Sequence, residues 1–179
     1  EALARYGTDK PDLRCELLIH DVSTVFADAS FKVFRNVIAS GGAVRALVVP
    51  GAGRWARHKI DQLEGEALQL GAKGLVWMRR AADGAVQSSI LKAVGEETVT
   101  RTLEAVRAGP DDLVLLSAGP GAEVSGLLGQ LRLAIARRES LIDESRFEFL
   151  WVVDFPLLEW SDLEQRHVSM HHPFTAPHA

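Results

Sequence analysis

Cysteine is almost missing from this chain. Cys15 is the single one in 179 residues, so no intramolecular disulfide framework can brace the fold, and that usage fits a reducing compartment. Long apolar runs are missing as well. None approaches the roughly 18–20 residues that span a bilayer, and no basic-then-apolar leader opens the chain, so a cytoplasmic protein without a membrane partner is expected. An excess of one charge sign is also lacking: the formal net charge is −4, whereas a whole-domain binder of nucleic acid is usually basic, which leaves only a local basic patch for such a role. There is no internal repeat and no low-complexity tract. What is present, 47% hydrophobic and 25% charged residues, excludes wholesale disorder and fibrous classes. The length allows one domain with a real core and a small second unit. The chain opens at Glu1 rather than methionine, and the expectation is a piece excised from a longer protein.

In residues 1–14 (EALARYGTDKPDLR), Gly7 and Pro11 stop any helix begun at Glu1. ELLIHDV at 16–22 is a short apolar stretch, and the carboxylate of Asp21 can cap a brief helix running to Ala27. FKVFRNVI at 31–38 and AVRALVV at 43–49, rich in β-branched and aromatic residues and separated by SGG, predict a hairpin. Ala56, Ile60, Leu63, Ala67 and Leu70 then form one helical stripe ended by Gly71. A second strand pair follows at 73–78 and 85–90 around Asp83-Gly84. Val99, Leu103 and Val106 give the next helix its apolar face, with Glu96 and Glu97 placed where the helix dipole favours acids and Gly109-Pro110 as its stop. The order is β-β-α-β-β-α, and LVLLS at 113–117 adds a strand, which predicts an α+β, two-layer sheet with helices on one face. Val124, Leu127, Leu128, Leu131 and Ile135 stripe a further helix of about 18 residues with Arg137 and Arg138 in its last turn. Finally FEFLWVVDFP at 147–156 is apolar on both faces, as a central strand would be, yet its neighbours are not evident in the chain.

Four patterns carry chemistry. His167, His171, His172 and His178 cluster near the end, and histidine is both a common metal ligand and a donor to anions. No Cys or Glu stands at a zinc spacing, and adjacent His171 and His172 point to opposite sides of an extended chain. A donor to an anionic ligand and a plain surface loop therefore both remain open. Gly119-Pro120-Gly121 between a strand and a helix is a weak phosphate-turn pattern: the third glycine and the Lys-Ser/Thr pair are missing and Pro120 has no N–H. Arg54, Arg57, His58 and Lys59 open one helix, and Arg79 and Arg80 end a strand, with Trp55 and Trp77 beside them in sequence. Such cations either contact phosphates or are solvated element ends. Asp154 and Glu159 are unplaced carboxylates, and Cys15 has no identifiable base partner.

RYGTDKPDLR at 5–14 and LWVVDFPLLE…MHHPFTAP towards the end resemble the segments that bracket an insertion, the GAD domain, in the class II catalytic domain of bacterial-type aspartyl-tRNA synthetases. GAKGL at 71–75 and QLRLAI at 130–135 are similar to that family too, so the resemblance covers the whole chain. It implies residues 1–20 as an edge of the catalytic domain, 21–118 as the GAD insertion domain, 119–145 as a connecting helix and 146–179 as a partial return to the catalytic domain. It implies a parent enzyme that joins aspartate to ATP with Mg²⁺ and transfers the aspartyl group to tRNA, as a homodimer. The family's arginine motifs for ATP and its acidic metal ligands lie outside the two bracketing segments, so this piece alone is expected to hold no cofactor and to be inactive. His171 takes the family's aspartate-binding position, with His172 its neighbour. Arg54, Arg57, Lys59, Arg79 and Arg80 are the candidate tRNA contacts. The alternative is a GAD-type binding module of a tRNA-dependent amidotransferase subunit, or a non-catalytic paralogue.

Overall fold

The first helix, α1 (Ala2–Tyr6), stops at Gly7, whose φ of 71° is a left-handed value that costs glycine little. The computed structural model describes residues 1–81, 83–154, 156–161 and 163–170. Two units separate, Glu1–Glu148 and Phe149–Ala179.

In the first unit α1 is followed by β1 (Ile19–Asp21), α2 (Ser23–Phe26), α3 (Lys32–Ala39) and β2 (Ala43–Val49). A 3-10 turn at Ala52–Arg54 leads to α4 (Arg57–Gln69), β3 (Val76–Arg80), β4 (Val86–Ser88), α5 (Leu91–Ala105), β5 (Leu113–Gly119) and α6 (Gly121–Arg138). The strands form one sheet in the order β1-β2-β5-β3-β4, and every pairing is antiparallel. The α+β class is as expected.

In this first unit two features differ from the sequence expectation. Residues 31–38 are not the first arm of a hairpin but α3, because Phe31, Phe34 and Ile38 recur at helical spacing and pack into one core cluster. Phe34 meets Phe26 and Phe31 edge-on, each at 5.0 Å, an aromatic arrangement that β propensity alone does not anticipate. Helices also cover both faces of the sheet. Leu47 and Val49 of β2 and Leu113 and Leu115 of β5 pack with α4 and α6, whereas Val44, Ala46, Val114 and Leu116 pack with α2, α3 and α5. Successive residues of a strand point to opposite faces, so these are two cores, one on each side.

The helices follow their sequence signals. Ile60, Leu63 and Ala67 of α4 are buried, and Gly71, with φ 94°, ends it. Within α5, Gly95 is non-helical at φ 77°, so Glu96 and Glu97 open the helical part that follows. Asp21 accepts the Ser23 amide at 2.9 Å, but the N-cap of α2 is Val22, one residue beyond the expected position. α6 buries Val124, Leu127, Leu128, Leu131 and Ile135 over its 18 residues.

In the second unit β6 (Leu158–Ser161) and β7 (Arg166–Ser169) pair as an antiparallel hairpin that the sequence pattern does not signal. The apolar run at 147–156 forms no strand among the described residues. Trp151 is 93% exposed and Phe149 90%, because a strand without neighbours leaves its own N–H and C=O groups unpaired and gains nothing from pleating.

Candidate functional site

Antiparallel pairing brings the end of β2, the start of β5 and the end of β3 to the same end of the sheet, where Val49 stands opposite Leu113 and Leu113 opposite Arg79. The segments leaving these strands therefore converge: Arg54 lies in the 3-10 turn after β2, Arg57 and Lys59 in the first turn of α4, and Arg79 and Arg80 at the end of β3.

Gly53 fits here because a Cβ would lie 2.7 Å from the Asp111 carbonyl, and its own N–H donates to that oxygen at 2.7 Å. This close approach sets Arg54 beside Asp111, and the guanidinium grips the carboxylate with two bonds, Nε to Oδ1 at 2.8 Å and Nη2 to Oδ2 at 3.2 Å. Arg57, in the first turn of α4, pairs with Asp61 one turn on at 2.7 Å. Lys59 binds Glu139 at 2.8 Å and its ammonium stands 3.7 Å over the Trp55 ring. Trp77, on β3, carries the guanidinium of Arg57 at 5.2 Å and that of Arg79 at 5.4 Å from its ring centre. Such cation–ring contacts orient the side chains and contribute about 0.5–1 kcal/mol each where exposed. Arg79 itself donates from Nη1 to the carbonyls of Gly53 at 2.9 Å and Trp55 at 3.0 Å, and from Nε to Gln87 Oε1 at 2.9 Å. Arg80 reaches only the Gly84 carbonyl, at 3.4 Å.

Arg54, Trp55, Arg57, Lys59, Trp77 and Arg79 thus form one connected cluster. Three of its cations have a carboxylate of their own chain, and the Arg54 and Arg57 pairs lie in the open, with side-chain exposures of 80% and 57%. Exposed ion pairs are worth about 0–1 kcal/mol, so a phosphate can replace the carboxylate at small cost. That exchange is the chemistry the site supports, binding of a polyanion.

The other sequence candidates are not brought into this site. Gly119 and Pro120 line a shallow cavity of about 360 Å³ with Lys73 and Glu123, and Glu123, in the first turn of α6, sets a carboxylate where a phosphate would bind. Cys15 is buried. Asp154 and Glu159 are exposed residues of the second unit, and His167 there meets the Trp160 ring edge-on at 5.3 Å. His171, His172 and His178 lie outside the described residues. Among the described residues no group of three His, Cys, Asp or Glu side chains could hold a metal ion, and no helix is long and apolar enough to cross a membrane. Sequence reasoning grouped the cations but missed their anionic partners Asp61, Asp111 and Glu139. Of these only Asp61 had a readable signal, its i+4 spacing from Arg57.

Comparison with known proteins adds a second line of information. Residues 34–128 match the family described as the GAD domain. Over 177 residues the chain is 44% identical to the aspartate–tRNA(Asp/Asn) ligase of Caldanaerobacter subterraneus subsp. tengcongensis, 99% of this chain against 30% of that protein. It is 46% identical over 178 residues to the aspartate–tRNA(Asp/Asn) ligase of Bacillus subtilis, again 99% of this chain and 30% of the relative. It is 43% identical over 177 residues to the aspartate–tRNA ligase of Agathobacter rectalis, with the same two shares. The chain therefore spans about 30% of the length of these curated relatives.

Proposed function

The chain belongs to the GAD domain family, and from that premise we propose that it is the insertion domain, with short flanks, of a bacterial-type aspartyl-tRNA synthetase. Similarity along 99% of the chain to ligases of that name supports this reading over a binding module of an amidotransferase subunit. In this assignment residues 1–20 and 146–179 are edges of the catalytic domain, 21–118 the insertion domain and 119–145 its connecting helix. The parent protein, cytoplasmic and homodimeric, activates aspartate with ATP and passes the aspartyl group to tRNA. His171, with His172 beside it, donates to the carboxylate of aspartate, a charge-assisted bond that suits an anionic substrate.

No residue of this chain is assigned to ATP or Mg²⁺. Among the described residues no group of three His, Cys, Asp or Glu side chains fits a metal site. The contribution of the domain is binding: Arg54, Arg57, Lys59, Arg79 and Arg80 build the surface for the tRNA acceptor arm, by direct contact or by holding a neighbouring cation in place. One observation carries this, the gathering of Arg57, Lys59 and Arg79 around two indole rings at one end of the sheet, with Arg79 also holding the backbone on either side of Arg54. The test is tRNA affinity of the parent enzyme against salt. Removing a cation that neutralises one phosphate should lower the slope of log K against log salt by about 0.9 on a duplex stem. Arg54→Ala with Arg57→Ala should therefore weaken binding and flatten that slope by about two. An unchanged slope would remove the surface from tRNA binding.

A further inference from the structure

Arg54 and Arg79 look alike in sequence and belong to the same basic cluster, but the structure gives them different work. Arg54 is the outermost cation, its side chain 80% exposed and, among the described residues, held by the surface carboxylate of Asp111. Arg79 is half-buried on the sheet, and of its five N–H donors three are already spent within the protein. Two of those go to the carbonyls of Gly53 and Trp55, the residues on either side of Arg54. One guanidinium therefore fixes the backbone both before and after the exposed arginine, while Gln87 and the face of Trp77 fix the guanidinium in turn.

Resting on the RNA-binding reading above, we infer that Arg79 is a positioning residue of this surface: it sets the Gly53–Trp55 backbone so that Arg54 meets an RNA phosphate, and does not touch the RNA itself. Lysine cannot take over that duty. Its ammonium lacks the planar fork that reaches two carbonyls and an amide at once while lying flat on an indole. A direct phosphate contact, by contrast, asks only for a positive charge near the backbone, and lysine supplies it.

The experiment is a double-mutant cycle on the full-length parent enzyme, with a tRNA(Asp) transcript as the probe and affinity measured across a salt series. If Arg79 positions Arg54, Arg79→Lys and Arg79→Met weaken binding alike, by roughly tenfold, the scale of a lost hydrogen bond to a charged group. Arg79→Met added to Arg54→Ala then costs nothing further, because the residue it served is already gone. Both Arg79 variants also lower the salt slope by the same amount as Arg54→Ala. The inference is overturned if Arg79→Lys keeps wild-type affinity while Arg79→Met loses it, or if the effects of Arg54→Ala and Arg79→Met multiply. Should Arg79→Met not fold, Gln87→Ala loosens Arg79 without changing any charge and is expected to weaken binding in the same direction, again only when Arg54 is present. If Arg54→Ala weakens binding and no Arg79 or Gln87 variant does, this inference falls and the binding surface stands. If no variant changes affinity or slope, both fall.

Discussion

At Arg132 a guanidinium lies wholly inside the protein, 0% exposed, with main-chain oxygens as its hydrogen-bond partners. Nη2 donates to the carbonyls of Asp12 at 2.6 Å and Cys15 at 3.0 Å, and Nε donates to that of Leu17. Burying a cation is tolerable only with such partners, and Nη1 still has none. Arg132→Met strips three carbonyls of their donor at once, and a denaturant titration should show a drop of roughly 3–5 kcal/mol, a large part of an ordinary domain's stability. The same N-terminal loop carries the clearest pH dependence. The Arg14 side chain, bonded to both Asp12 oxygens at 3.0 and 2.8 Å, holds the Asp12 carboxyl at about 2 against the opposing effect of burial, with help from the Arg14 N–H and the Arg132 charge. A folded value below the unfolded one means stabilisation that is complete above about pH 4 and is lost as pH falls through about 2. The urea midpoint should therefore drop between those values, by about 1–2 kcal/mol of stability, and Asp12→Asn should remove that part of the drop. His20 adds a decline at higher pH: burial, then Arg5 and Arg107, lower its value, so the stability present above the unfolded histidine range is lost as pH falls through it.

One helix shows how the same substitution can have opposite signs. Gly126 and Gly129 both lie in α6. A Cβ at Gly126 would meet nothing within 4 Å, whereas one at Gly129 would come within 2.6 Å of the Tyr6 carbonyl and 2.9 Å of the Gly7 Cα. Alanine is favoured over glycine in a helix interior by up to about 1 kcal/mol, so Gly126→Ala should raise the thermal midpoint by a few degrees. Gly129→Ala should lower it, because α1 rests directly on that turn of α6 and overpacking costs about 1–3 kcal/mol. None of this is legible in the sequence, where the two glycines differ only by position. Legible were the apolar stripes of α4 and α6, since burial of one face leaves a 3.6-residue period, and the turn at Asp83-Gly84, where Gly84 takes φ 86°. Residues 31–38 were not legible, because a run of Phe and Val reads as a strand until a second layer of aromatic side chains is there to bury it at helical spacing.

For the molecule as a whole, its two units differ in kind. Glu1–Glu148 has a sheet with a core on each face, whereas in Phe149–Ala179 Trp151, Val153, Trp160 and Leu163 are all exposed. The isolated chain should therefore bind a hydrophobic dye such as ANS, and a version ending at residue 148 should lose most of that binding while keeping its unfolding midpoint. An unchanged dye signal in the shortened chain would place the exposed surface elsewhere. The 179-residue chain is also expected to show no aspartate-dependent ATP–pyrophosphate exchange, since the family resemblance puts the arginine motifs for ATP and the acidic metal ligands outside its two bracketing segments. By itself the amino-acid sequence determined the α+β class, the position of most helices, the glycine-marked turns and the candidate cations, because periodicity, turn chemistry and charge are local properties of neighbouring residues. Only the tertiary structure decided which cations stand together, which are committed to Asp61, Asp111 and Glu139, and which of two arginines faces outward. Those outcomes depend on strand order and register, which bring residues 54, 79 and 111 to one end of the sheet, and on α6, whose C-terminal end sets Glu139 beside Lys59, although nothing local links them.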